Sequence, residues 1–128
     1  MYKIAYIDAT RTLEITTWGF WTVATIAAFS AEAVAKFTAL RLRHGPVAVL
    51  ADMRQAPIQT NEVIGGVEAL MRKAVRLTSF PIAAVAGSML GKLQSERVLT
   101  APNCRTFLDI DEARAWIDAH MPASRRVA

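Results

Sequence analysis

The sequence predicts an α/β domain: a mixed five-stranded sheet with an N-terminal antiparallel hairpin and four helices. Two short apolar runs carry most of that prediction, residues 46–52 (PVAVLAD) and residues 81–87 (PIAAVAG). In the first, Val47, Val49 and Ala51 point to one face and Ala48 and Leu50 to the other, so neither face can be left to water, as in a central strand. The third observation is that helix-period pattern lies between and after these runs. That alternation defines βαβ units, which require parallel strands and right-handed crossovers.

Taken in order, residues 2–8 and 12–18 are rich in Tyr, Ile and Thr and are separated by the short polar link Ala9-Thr10-Arg11, so they form an antiparallel hairpin. From Thr22 to His44, Ile26, Phe29, Ala33, Phe37 and Leu40 recur at helical spacing, with Thr22 as N-cap and Gly45-Pro46 as the stop. After the central strand, Val63, Val67, Leu70, Met71 and Ala74 make a stripe that predicts a helix over 61–76 capped by Thr60 or Asn61. Gly65 and Gly66 weaken this helix by about 1 kcal/mol each relative to Ala, so its first turn is frayed or its backbone is closely approached. A third helix over 89–99 leads through Pro102-Asn103 to a strand over 104–108. The last helix opens on Asp109 and Glu112, spaced as a capping box, carries Ala113, Trp116 and Ile117 inward, and stops at Pro122. A single domain over 1–122 is expected, with 123–128 a disordered tail.

The composition narrows the class of function. A chain of 128 residues that is 53% hydrophobic suits one core and leaves no room for a separate catalytic domain. The formal charge of +4 comes from scattered positions such as Arg41, Arg43, Arg72, Lys73 and Arg76, without interleaved aromatics, so a solvated surface and no nucleic-acid partner are expected. The lone Cys104 excludes an intrachain disulfide and a Cys-based zinc site; it suits a reducing, cytoplasmic compartment. The N-terminus has charges at Lys3, Asp8 and Arg11 and no secretory h-region, and the uncharged stretch 15–31 is shorter than the roughly 20 residues of a membrane span. No transmembrane segment is expected.

Residues able to do chemistry are few. There is no HExxH, P-loop or GxSxG pattern, Cys104 has no evident base, and His44 and His120 fall in last helical turns, where an imidazolium complements the helix dipole. No catalytic residue, metal or cofactor is assigned. One polar group gathers at strand ends: Asp52 and Arg54 close the central strand, Ser88 closes the next, and Gln94 and Arg97 share the i, i+4, i+7 face of Leu90. These five are the candidate ligand- or partner-binding residues, reading as a polar-rimmed pocket for an anionic head group or as a structural fastening of Arg97. Trp18, Phe20 and Trp21 form an aromatic knot beside the hairpin, and with Tyr2 and Tyr6 they exceed what a two-layer fold readily buries. These rings either form core or line an apolar cavity or an oligomer interface; a homodimer that buries at least two of these aromatics, with Trp18, Phe20 and Trp21 as interface candidates and Trp18 or Trp21 at its centre, is expected.

Gly19-Phe20-Trp21-Thr22 opening a long helix, Val49-Leu50-Ala51-Asp52-Met53-Arg54, and Ala84-Val85-Ala86-Gly87-Ser88-Met89-Leu90 are followed by Lys92-Leu93-Gln94, Arg97, Phe107, Glu112-Ala113 and Trp116. Together they resemble bacterial SpoIIAA-like proteins of the STAS superfamily. The resemblance implies a β-α superhelix with sequentially ordered strands, a fold shared with anti-sigma factor antagonists and with CRAL-TRIO lipid-binding domains. Antagonists carry an Asp-Ser-Ser-Gly phosphorylation box after the central strand; the matching residues are Gln59-Thr60-Asn61-Glu62, so Thr60 alone offers a phosphoryl acceptor and serves equally as a plain N-cap. The expected function is a non-enzymatic binding or regulatory domain acting through a protein partner or self-association, with a carrier or sensor of a small apolar, lipid-like ligand as the alternative.

Overall fold

Strands pair in chain order. In the computed structural model, which describes residues 1–122, β1 (Tyr2–Ile7) lies antiparallel to β2 (Thr12–Trp18), and β3 (Ala48–Gln55), β4 (Ile82–Ala86) and β5 (Cys104–Phe107) follow in parallel. Helices α1 (Val23–His44), α2 (Asn61–Leu77), α3 (Met89–Val98) and α4 (Ile110–His120) complete an α/β fold with the expected hairpin, five strands and four helices. The expected tail at 123–128 lies outside the described residues.

A parallel sheet whose strands advance in chain order through right-handed crossovers must carry every crossover helix on the same face. Helices α1, α2 and α3 accordingly share one side, where Leu13, Ile15, Ile26, Phe29, Phe37, Val47 and Val63 form one core. Helix α4 covers the other, packing Ala113 and Ile117 on Ala48, Leu50, Ala83, Val85 and Phe107. The alternation expected along the central strand holds, since Val47 belongs to the first core and Ala48 and Leu50 to the second.

The central strand departs from its predicted limits. It begins at Ala48 and runs to Gln55, because Met53 still pairs with Ala86 and Gln55 with Trp18. Asp52 therefore lies within the strand; Arg54, two residues on, shares its face and neutralises it there. The hairpin closes through a single 3-10 turn, Asp8–Thr10, with Arg11 in the left-handed region at φ 52. The Arg11 guanidinium reaches the carbonyl of Pro122 and fastens the hairpin to the end of α4.

Helix α1 has the expected N-cap, Thr22 Oγ1 accepting from Thr25 N, and ends on Gly45. By length and composition it is long and apolar enough to cross a membrane; in the fold Ile26, Phe29, Ala33 and Phe37 bury one side of it. The Arg41 guanidinium bonds the carbonyl of Leu77 and ties the C-terminal ends of α1 and α2 together. At the other end the two helices meet at Gly66, where a Cβ would stand 2.9 Å from both Ile26 Cγ1 and Cγ2. The close approach expected of the glycine pair is thus Gly66 alone, since nothing lies within 4 Å of a Cβ at Gly65.

Opposite effects are expected at these neighbours. Gly65→Ala should raise stability by up to about 1 kcal/mol through helix propensity. Gly66→Ala should lower it by about 1–3 kcal/mol, because a β-branched side chain held between helix and sheet cannot easily give way. Urea unfolding of the two variants measures both, and a stabilised Gly66→Ala would contradict the packing described.

Candidate functional site

Helix α2 carries the most clearly amphipathic stripe in the sequence, yet Val63 is its one fully buried residue. Val67, Leu70, Met71, Ala74 and Leu77 are only half-buried. They face a partly enclosed cavity of about 410 Å³ between the sheet and the α1–α2–α3 layer. Leu13 and Ile15 of β2 and Val49, Ala51 and Met53 of β3 form its floor; Phe29 and Phe37 of α1, the α2 stripe, and Gly91, Ser95 and Val98 of α3 enclose it. Its wall is overwhelmingly apolar. Ligand pockets typically occupy about 300–1,000 Å³, so the volume falls within the range for a small molecule.

Polar side chains cluster at the strand C-terminal end of the cavity. Gln59, in the loop before α2, is fully engaged: Oε1 accepts from Trp21 N at 3.0 Å, and Nε2 donates to Gly19 O and Pro57 O, each at 3.1 Å. It fastens the β2–α1 and β3–α2 loops together. Gln94 of α3 approaches the Gln59 backbone at longer range, Oε1 3.5 Å from Gln59 N and Nε2 3.4 Å from Gln59 O. Ser88 lies beside it as the N-cap of α3, its Oγ accepting from Gly91 N at 3.0 Å.

The five candidates grouped by the sequence are therefore divided. Ser88 and Gln94 border the cavity. Asp52 and Arg54 lie on the face covered by α4, where Arg54 Nε and Nη2 reach Asp52 Oδ1 and Oδ2, each at 2.9 Å. Arg97 is a correction: it does not face inward with Leu90, and both are exposed. Helix α3 turns Gly91, Gln94, Ser95 and Val98 inward instead, because it lies close on β4, where a Cβ at Gly91 would already be 3.6 Å from Ala86 Cβ. Arg97 borders a smaller, separate hollow with Glu68, Arg72 and Cys104.

The aromatic knot also divides. Trp21 is 8% exposed and packs edge-on against Phe29 with Tyr2 beside it, so it belongs to the core and the cavity wall and is not an available interface residue. Its indole Nε1 donates to Trp18 O at 3.3 Å. Trp18 and Phe20 remain exposed, at 40% and 66%. Tyr6 stacks on His44 at 4.8 Å, which occupies that imidazole structurally. Thr60 caps α2, with Oγ1 accepting from Val63 N at 3.4 Å. Burial pushes the Cys104 thiol up, leaving it protonated and unreactive at neutral pH. Among the described residues no group of three or more His, Cys, Asp or Glu stands together to hold a metal.

No known family model matches the chain, and no curated protein is similar to it. The site is accordingly read from its own geometry. The sequence suggests an apolar cavity lined by the aromatic rings, of which Trp21 does line it, but not its place beneath α2 nor a role for Gln59: the partial burial of the α2 stripe depends on spacing between layers, and Gln59 reaches Trp21 and Gly19, 38 and 40 residues away.

The Asp52–Arg54 pair has a measurable signature. The hydrogen bonds of Arg54 hold the Asp52 carboxyl below the usual carboxylate range, against a smaller opposing effect of burial. A lowered folded value means that the pair stabilises the fold above the unfolded value of about 3.9, and that this contribution is lost as pH falls through the folded value. Asp52→Asn should therefore melt below the wild type at neutral pH, and the gap should narrow as the pH falls below the unfolded value of about 3.9. Thermal melts across that range check it; a gap that is constant with pH would mean that the charge plays no part.

Proposed function

We propose that the chain is a carrier or sensor of a small apolar, lipid-like molecule, bound between the sheet and the α1–α2–α3 layer. The observation that carries this reading is the cavity of about 410 Å³ beneath α2, faced by apolar residues that the helix does not bury against the sheet. An apolar helix face is normally buried against its own sheet, and filling this space with a ligand supplies the missing contacts. The resemblance to SpoIIAA-like STAS proteins belongs to the same proposal; the consecutive order of the strands supports it.

Native mass spectrometry after mild desalting should find the 14.0 kDa chain carrying a co-purified small-molecule mass. Val67→Phe, which places a ring in the cavity, should lose that mass while unfolding no lower than the wild type, since the added side chain fills existing space. A wild-type chain that carries nothing and binds no neutral apolar dye would sink the reading.

A second reading, self-association, is favoured by the exposure of Trp18 and Phe20 beside Met1 and Val23, which are also exposed, at one end of the edge pair β1–β2. Trp21 is withdrawn from it. Sedimentation equilibrium at micromolar concentration should show a mass twice that of the chain, falling to 14.0 kDa in Phe20→Ser; a wild-type mass of 14.0 kDa removes the dimer.

A further inference from the structure

We infer that the cavity selects an uncharged ligand, a mainly apolar molecule with one hydrogen-bonding group such as an alcohol or carbonyl, and that the Gln94 amide receives that group. This inference rests on the reading of the cavity as a ligand site and specifies what that site accepts.

The first argument is charge. Among the described residues Arg54 is the only ionisable one on the wall, and its guanidinium is turned to the opposite face of the sheet and held by both oxygens of Asp52. None of these residues leaves a cation free there to meet a carboxylate or phosphate. An unpaired anion in apolar surroundings carries a heavy desolvation penalty or must take up a proton. Helix N-termini are the other feature that favours an anion, and those of α2 and α3 are capped internally by Thr60 and Ser88.

The second argument is hydrogen-bonding capacity. Gln59 has both amide protons and its oxygen engaged at ordinary distances, Ser88 Oγ already accepts from Gly91 N, and Thr78 Oγ1 accepts from Phe80 N at 3.0 Å. Gln94 differs. Its two contacts, at 3.4 and 3.5 Å, fall outside the usual range of about 2.7–3.2 Å, so both its donor and its acceptor can turn to a ligand with little lost. A neutral amide that donates and accepts complements a hydroxyl or carbonyl and gives no preference to a negative charge. The volume fits a chain of moderate length: an apolar cavity of about 150 Å³ already takes benzene, and this one is about 410 Å³.

The test is displacement of Nile red, a neutral apolar dye, by 1-decanol and by decanoate at about pH 8. Decanol should displace the dye with a Kd about tenfold or more below that of decanoate. In Gln94→Leu the Kd for decanol should rise about threefold or more relative to that of the dye. Decanoate binding as tightly as decanol overturns the uncharged-ligand inference and leaves the cavity reading intact. Unchanged decanol affinity in Gln94→Leu overturns the assignment of Gln94. Failure of both the dye and decanol to bind the wild type removes this inference together with the proposed function.

Discussion

The structure depends on one topological constraint: parallel strands laid down in chain order through crossovers of one hand put all three crossover helices on the same face. Among the described residues the opposite face receives only α4, which follows the last strand and covers β3 to β5. Three helices of different length and residue size must then share one layer. Helix α3 lies close on β4 through Gly91, whereas α1 and α2 pack against each other through Ile26 and Gly66. Differences in standoff within one layer leave space beneath the middle helix, and that space is the cavity.

Close approach, rather than apolar content, determines which faces turn inward. On α3 the exposed residues include Met89, Leu90 and Leu93, and the inward ones are Gly91, Gln94, Ser95 and Val98. A reading by hydrophobicity selects the wrong face, since α3 seats Gly91 and Ser95 towards the sheet and leaves its larger apolar residues Met89, Leu90 and Leu93 exposed. The same holds at Gly87, where a Cβ would meet Arg54 O at 2.3 Å, so the ends of β3 and β4 can converge only on a glycine. That convergence places the β3–α2 loop and the start of α3 near one another, where the backbone of Gln59 meets the side chain of Gln94.

Most of the fold was legible in the sequence because its signals are local: strand runs apolar on both faces, the caps at Thr22, Thr60, Ser88 and Asp109, and the stop at Gly45 all act within a few residues. The end of the central strand was not, since Asp52 resembles a strand terminus until its bidentate pairing with Arg54 is seen. The candidate site was legible only in pieces. Ser88 and Gln94 were found at the correct end of the sheet, but alternation along β3 puts Asp52 and Arg54 on the far face, and that follows only once the strand is known to continue through them. Gln59 carries no signal of its own: a single amide in a loop has neither period nor motif, and its role comes from the three segments it joins.

Helix α2 combines weak propensity with partial burial. Its interior holds Gly65 and Gly66, each costing about 1 kcal/mol of helix propensity. It buries only Val63 fully, while Val67, Leu70 and Leu77 pack half-buried on the core and also line the cavity. Helix stability in proteins comes mainly from packing rather than from propensity, and α2 packs chiefly on α1, with Gly66 against Ile26. What holds it lies at its ends: the Gln59 fastening and the Thr60 cap before the first turn, the Arg41 guanidinium on the Leu77 carbonyl after the last. Between those ends the half-buried Val67, Leu70 and Met71 line the cavity. Occupancy of the cavity would add contacts along that middle segment, and by linkage a ligand at about 100 times its Kd would add about 2.7 kcal/mol to the stability of the whole domain.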